Sequence, residues 1–376
     1  MPLAEWIRRA TEQLARSLGG AIGGLLNVSF GNIAELLLAL SVLLHGRPDV
    51  VKGQITGSII GNSLLGLGLA VVAGSWGRHR QTFNRRSASR LSSLLILSVI
   101  ALLLPALFDY TERGGPQAGS TTMLDERLSL GVSVVLILVY AANLFYTLVT
   151  HRDIFGGGGE AVGSDVADAG RSSTGWPIRA AVAVLIVATV FTAWEAELIS
   201  GGLERAASDL GVSTFFLGVI VLAVVGNAAE YVAAVHFARH DQMTTAITIT
   251  VGSTIQVALL VAPLLVLVSH AMGRPMNLVF SNPLELIAIA AVAFTVNAIA
   301  LDGETNWFEG VLLLAVYVLL ALAFLLVTPP WRPQAVEKVN APGSPVRDAS
   351  PVSRAELMPA ASLQAAVASR TWRAIP

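Results

Sequence analysis

The sequence predicts an all-α polytopic membrane protein built from two inverted repeats. Three observations carry this. Of 376 residues, 54% are hydrophobic and only 13% charged, with a mean hydropathy of +0.68, whereas soluble domains carry about 25% charged residues. Long stretches hold no charge at all, among them Leu128 to Thr150, Gln242 to Ser269 and Val311 to Thr328, and about 20 such residues span a bilayer as a helix. Finally, two segments of the chain repeat each other at a fixed offset.

Nine membrane helices are expected, near 22–45, 50–75, 91–108, 128–150, 177–199, 213–238, 242–269, 283–301 and 309–328. Residues 1–21 form an amphipathic N-terminal segment. Residues 22–150 make a first repeat of four helices and 177–328 a second of five. Between them, residues 151–176 form a Gly-rich, mildly acidic linker. From 329 to 376 the Pro, Ala, Ser, Arg and Glu composition is that of a disordered tail. Loop Lys and Arg divide unevenly between the two sides. Twelve fall on the side of the N-terminus and the five-Arg loop Arg78–Arg90, and six on the side of Arg47, Lys52, Arg113, Arg127, Arg205 and Arg274. The first side is predicted to be cytoplasmic, as in a bacterial-type inner membrane, with the tail outside.

Net charge near −1 implies no nucleic-acid partner and the absence of Cys excludes disulfides and thiolate chemistry. An intramembrane enzyme would need a nucleophile or clustered His within the spans, but the six His lie mostly in loops. The implied partners are the lipid bilayer and small cations. Oligomeric state is left open by the sequence.

The repeat pairs Gly31-Asn32-Ile33-Ala34-Glu35 with Gly226-Asn227-Ala228-Ala229-Glu230, 195 residues apart. The same offset pairs Gly57-Ser58 with Gly252-Ser253, Leu64-Leu65 with Leu259-Leu260, and His45 with His240. The two motifs thus keep one spacing in both halves. The copies start on the first and sixth expected helices. Five crossings, an odd number, separate them, so they traverse the membrane in opposite senses, and inverted repeats of this kind place their site near the midplane. Gly31, Gly57, Gly226 and Gly252 are the expected helix breaks.

Glu35 and Glu230 fall in otherwise uncharged spans, where each ionised carboxylate costs at least about 2.5–3.5 kcal/mol. A hard divalent cation prefers oxygen ligands and neutralises both charges at once. When it leaves, protons are the natural replacement, because an empty, doubly ionised site is costly. Asn32 and Asn227 lie three residues before each Glu, on the same helix face. Ser58, Ser253, Asn62 and Gln256 offer further neutral oxygens from the paired helices. Glu35, Glu230, Asn32, Asn227, Ser58, Ser253 and Gln256 form the candidate metal site, with Glu35 and Glu230 also coupling to protons, while Asn62 could equally serve as a polar link between helices. No cofactor is expected, only transported ions.

FGNIAELLLAL, GSIIGN, VVGNAAE and GSTIQVALLVAPLLV resemble the two signature repeats of the calcium/proton exchangers of the cation/calcium exchanger superfamily. NLVFSNPLEL and DGETNWFEG resemble that family's last helices. The resemblance covers residues 3 to 328. It implies antiport of calcium and protons by alternating access, with Glu35 and Glu230 as the transport carboxylates. Glu197, in WEAELI, corresponds to a Glu of the helix before the second repeat. Tyr231 stands where the family often has His, and Ala196 where it often has Ser. LAEWIRRATEQLARSLGG is similar to the end of the family's first core helix, so about nine helices of a ten-helix core are expected here. A sodium/calcium exchanger of the same superfamily and a shortened cation-binding protein that does not transport remain alternative readings.

Overall fold

The computed structural model describes residues 30–112, 121–147, 176–280 and 282–327, with scattered residues between 3 and 14. Helices dominate: α1 (Ile33–Leu44), α2 (Pro48–Gly74), α3 (Arg85–Glu112), α4 (Thr121–Phe145), α5 (Ile178–Leu210), α6 (Thr214–Gly226), α7 (Ala228–Arg239), α8 (Met243–Ala271), α9 (Pro283–Asp302) and α10 (Trp307–Leu326). Among the described residues, seven are long and apolar enough to cross a membrane, and α6 with α7, bent by 52°, makes an eighth. The span expected at 22–45 is represented by the twelve residues of α1, because 15–29 lie outside the described residues. So do the linker up to 175 and the tail from 328 onward.

The helices belong to one unit, Met1–Pro329. Its interior is set by α2 and α8, the two helices that carry the Gly-Ser motifs. Of their apolar stretches 83% and 67% are buried, against 22% for α4, α5 and α10. The outer helices instead expose Val135, Leu138, Ile186, Val190, Leu319 and Leu326, the surface that lipid covers. Ile7, Ala10 and Leu14 of the N-terminal segment are buried against Ala181, Leu185 and Ala188 of α5, and Trp6 stacks on Trp176 with ring centroids 5.7 Å apart.

Both central helices contain a widened π-helical turn, Gly61–Gly66 in α2 and Val257–Val261 in α8, and α6 has a third at Leu217–Leu222. Gly57 and Gly252 do not break their helices: the backbone runs unbroken through both. An isolated glycine in a packed helix keeps its i→i−4 bonds, and at Gly57 its function is close approach. A Cβ there would lie 1.9 Å from the Val219 carbonyl oxygen, and one at Gly218 would lie 2.7 Å from that of Val50. Small residues thus let α2 and α6 touch backbone to backbone.

On one end of the bundle, strands β1 (Gln81–Thr82) and β2 (Glu304–Thr305) pair antiparallel. Arg80 bonds Glu304 at 2.8 Å, Arg78 bonds Asp241 at 2.9 Å, and Asn84 N donates to Thr244 Oγ1 at 2.9 Å. Three loops are therefore stitched together at that end. Lys52, counted above with the loop charges, lies inside α2 and is buried; its Nζ donates to Asn277 Oδ1 at 2.6 Å and to the Val279 carbonyl at 2.8 Å. α2 starts as early as Pro48, which draws this residue into the bundle.

Candidate functional site

Each Gly-Asn motif sits at a helix start. Asn32 (φ −107°, ψ 23°) and Asn227 (φ −98°, ψ 9°) leave helical geometry, and α1 and α7 begin at the next residue. The break therefore falls on the Asn, one position after the glycines expected to provide it. Gly226 has a different function: a Cβ there would stand 3.3 Å from Glu35 Cγ. Neither Asn side chain caps its own helix, although Asn is a favoured cap. Both turn into the protein interior.

Glu35 and Glu230 occupy the first turns of α1 and α7, where the partial positive charge of the helix end favours an anion. Glu35 is 2% exposed. Its Oε1 accepts from Ser58 Oγ at 2.6 Å and from Asn227 Nδ2. Asn227 Nδ2 also contacts Ser58 Oγ at 3.1 Å and the Ala223 carbonyl at 2.8 Å. Asn62 Nδ2 donates to Asn227 Oδ1 at 2.7 Å and to Ser253 Oγ at 3.1 Å, and Ser253 Oγ donates to Asn32 Oδ1 at 3.1 Å.

The exchange is reciprocal. The serine of each repeat bonds the asparagine of the other, Ser58 with Asn227 and Ser253 with Asn32. The two halves are thus interlocked through buried polar side chains in the interior.

Glu230 is near enough to Glu35 for their charges to interact. Glu35 Oε2, Glu230 Oε2, Gln54 Oε1 and Asn62 Oδ1 are buried with no hydrogen-bond partner. Buried acceptors are normally satisfied, so unfilled oxygens on Glu35, Gln54 and Asn62, with that of Glu230 within charge range, suit a hard cation or protons; Asn32 Nδ2 is the unfilled donor of the network. Beside Glu35 is a cavity of about 10 Å³, lined also by Ala39, Gln54, Ile55, Ser58, Val257 and Val261. That is room for one water-sized occupant. Among the described residues no three His, Asp or Glu side chains converge.

Six of the expected site residues thus meet or lie within charge range: Glu35, Glu230, Asn32, Asn227, Ser58 and Ser253. Gln256 does not join the hydrogen-bond network. It is half-buried, with its Oε1 3.6 Å from where a Cβ on Gly31 would stand, and it makes no side-chain hydrogen bond among the described residues. Glu197 sits apart as well, accepting from Ser41 Oγ at 2.7 Å and lying 3.5 Å from His45 Nε2, more than half exposed at the contact of α1 with α5.

The sequence does not mark two neighbours as site residues. Gln54 donates to the Glu35 carbonyl at 3.2 Å; its spacing of four from Ser58 on one helix was the available signal. The Tyr231 hydroxyl is buried without a partner and would lie 2.5 Å from a Cβ on Gly61. Gly61 and Gly66 make room for its ring, and nothing in the local spacing of the sequence points to that.

Asn62 is fully buried and supplies the donors that join Asn227 to Ser253. Asn62→Ala should destabilise the protein by about 1–3 kcal/mol, the cost of a buried acceptor left unmet. A thermal scan in detergent reads the effect, and an unchanged melting temperature would remove Asn62 from its linking position.

Paired carboxylates inside a bundle of membrane-length helices, with Asn and Ser exchanged between two halves, define a membrane transporter of the repeat type. Residues 1–149 and 180–326 match the family described as "Sodium/calcium exchanger protein", and the chain belongs to that family. It is 42% identical to the "Ca(2+)/H(+) antiporter" of Synechocystis sp., over 86% of this chain and 88% of that protein. It is 39% identical to the "Ca(2+)/H(+) antiporter ChaA" of Bacillus subtilis, over 86% and 89%. The solved structure of native YfkE superposes with a TM-score of 0.70 at 36% identity, covering 86% of this chain and 89% of that one.

Proposed function

We propose that the protein exchanges calcium for protons across a bacterial-type inner membrane, calcium leaving the cytoplasm as protons enter. It is a secondary transporter, not an enzyme. Glu35 carries the reading: a carboxylate in the interior of the first repeat, bonded by Asn227 of the second. Glu35 and Glu230 hold calcium or protons in turn. Asn32, Asn227, Ser58 and Ser253 surround them, and Gln256, outside that network beside Gly31, adds a further oxygen. The relatives named as calcium/proton antiporters, at 39–42% identity over most of both chains, support the choice of ions. In this reading the two halves rock or slide to expose the site to either side, the Arg78–Arg90 end faces the cytoplasm and the tail lies outside.

Inside-out vesicles holding the protein should accumulate calcium when a proton gradient is imposed. Uptake driven by sodium and indifferent to protons would overturn the proton half of the proposal. Binding has its own signature. Calcium needs the ionised carboxylates and displaces their protons. Acidification should therefore weaken equilibrium calcium binding in detergent, by up to about tenfold per pH unit for each carboxylate that takes up a proton. A calcium affinity flat across pH would contradict the shared site.

A further inference from the structure

The Arg-rich loop divides into two sets in the structure. Arg78 and Arg80 are paired with Asp241 and Glu304. Arg85, Arg86 and Arg90 are exposed and have no carboxylate partner among the described residues; Arg90 Nε donates to the Arg86 carbonyl at 3.1 Å, within the same helix. They lie in the first two turns of α3, whose first turn contains no acidic residue. Three cations thus crowd the helix end that already carries partial positive charge. Together with Ser89 they line one surface cavity of about 530 Å³. The stem of Arg85 is fixed over Gly303, its Cβ 3.2 Å from where a Cβ on that glycine would stand.

Helical spacing continues the face of Arg86 and Arg90 down α3 through Ser93 to an apolar stripe. Leu97, Ile100, Leu104 and Leu107 on that stripe are 62%, 58%, 49% and 52% exposed. With a rise of about 1.5 Å per residue, Leu97 lies roughly 10 Å below Arg90 and Leu107 roughly 25 Å below. That is the layout of a phospholipid, an anionic head followed by one leaflet's depth of acyl chain. The bias of basic residues to one side of a membrane explains the charges. It does not explain why the three that lack a carboxylate partner share a cavity at the head of an exposed apolar stripe.

We propose that this face of α3 is a binding site for an anionic phospholipid, its headgroup phosphate held by Arg86 and Arg90 with Arg85 and Ser89 alongside, and its acyl chain on Leu97 to Leu107. Each basic side chain near an anionic lipid surface contributes roughly fivefold in affinity.

Native mass spectrometry of the full chain in neutral detergent tests this, with phosphatidylglycerol, phosphatidylcholine and inorganic phosphate as probes. Phosphatidylglycerol should be retained at least about tenfold better than phosphatidylcholine. The double variant Arg86→Gln/Arg90→Gln should lose about thirtyfold, while Arg86→Lys/Arg90→Lys, which keeps the charge, retains most of the binding. Equal retention of the two lipids by the unaltered protein would overturn the proposal whether or not the Gln variant folds. So would displacement of the lipid by excess inorganic phosphate, which would assign the cavity to the free anion. The chain has no Cys, so Ile100→Cys provides a unique reporter. Intermolecular disulfides formed at this position in native membranes would give the face to a second copy of the protein and overturn the lipid assignment.

Discussion

Glu35→Gln is expected to abolish proton-driven calcium uptake, a loss of about a hundredfold or more, while the protein still folds. Gln keeps the size of the side chain and one acceptor oxygen for Ser58 and Asn227, so the substitution removes charge and little else. Contact between a carboxylate and a divalent cation is worth several kcal/mol even at an effective dielectric near 20, and each 1.4 kcal/mol is tenfold in affinity. Glu230→Gln should have an effect of the same size, since the ion must lose half its compensating charge in either case. Both variants should elute as single peaks in detergent. Uptake at the unaltered rate in either variant would remove that residue from the ion's path.

The second large effect separates two glycines that are equivalent in the repeat. Gly57→Ala forces a methyl group to within 1.9 Å of the Val219 carbonyl oxygen, whereas around Gly252 nothing lies within 4 Å of the added carbon. Backbone cannot give way as a flexible side chain can. Gly57→Ala should therefore cost at least about 1–3 kcal/mol and lower the melting temperature or prevent assembly of α2 against α6. Gly252→Ala, in a helix with open space, should be neutral or stabilising by up to about 1 kcal/mol. Equal behaviour of the two variants would contradict the crossing described above.

The features legible in the sequence were those that depend on composition and spacing. Uncharged stretches marked the spans, and a fixed offset picked out Glu35, Glu230 and their Asn and Ser companions. What the sequence did not show depends on the third dimension. Glycine is the sequence's natural break for both helices of each repeat, yet Gly57 and Gly252 sit in continuous helix and the break falls on Asn32 and Asn227. Dihedral tolerance permits a break without requiring one. Lys52 reads as a topology charge and is instead buried against Asn277 and Val279, because the first turns of α2 are covered by a segment more than 220 residues away in sequence. Asn62 was one oxygen among several, and its bonds to Asn227 and Ser253 arise only when the halves interdigitate. Pairings of that kind leave no local pattern.

The widened turns of α2 and α8 bear on how each half aims its polar side chains. A π turn is an α-helix with one residue inserted. The offset that relates the two motifs carries Gly61–Gly66 onto residues 256–261, where the turn Val257–Val261 is found. The register shift therefore comes at the same place in both halves, a few residues beyond Ser58 and Ser253. Each serine and the helix that follows it are presented on offset faces, so one helix can both hold the polar network and pack its far end against different neighbours.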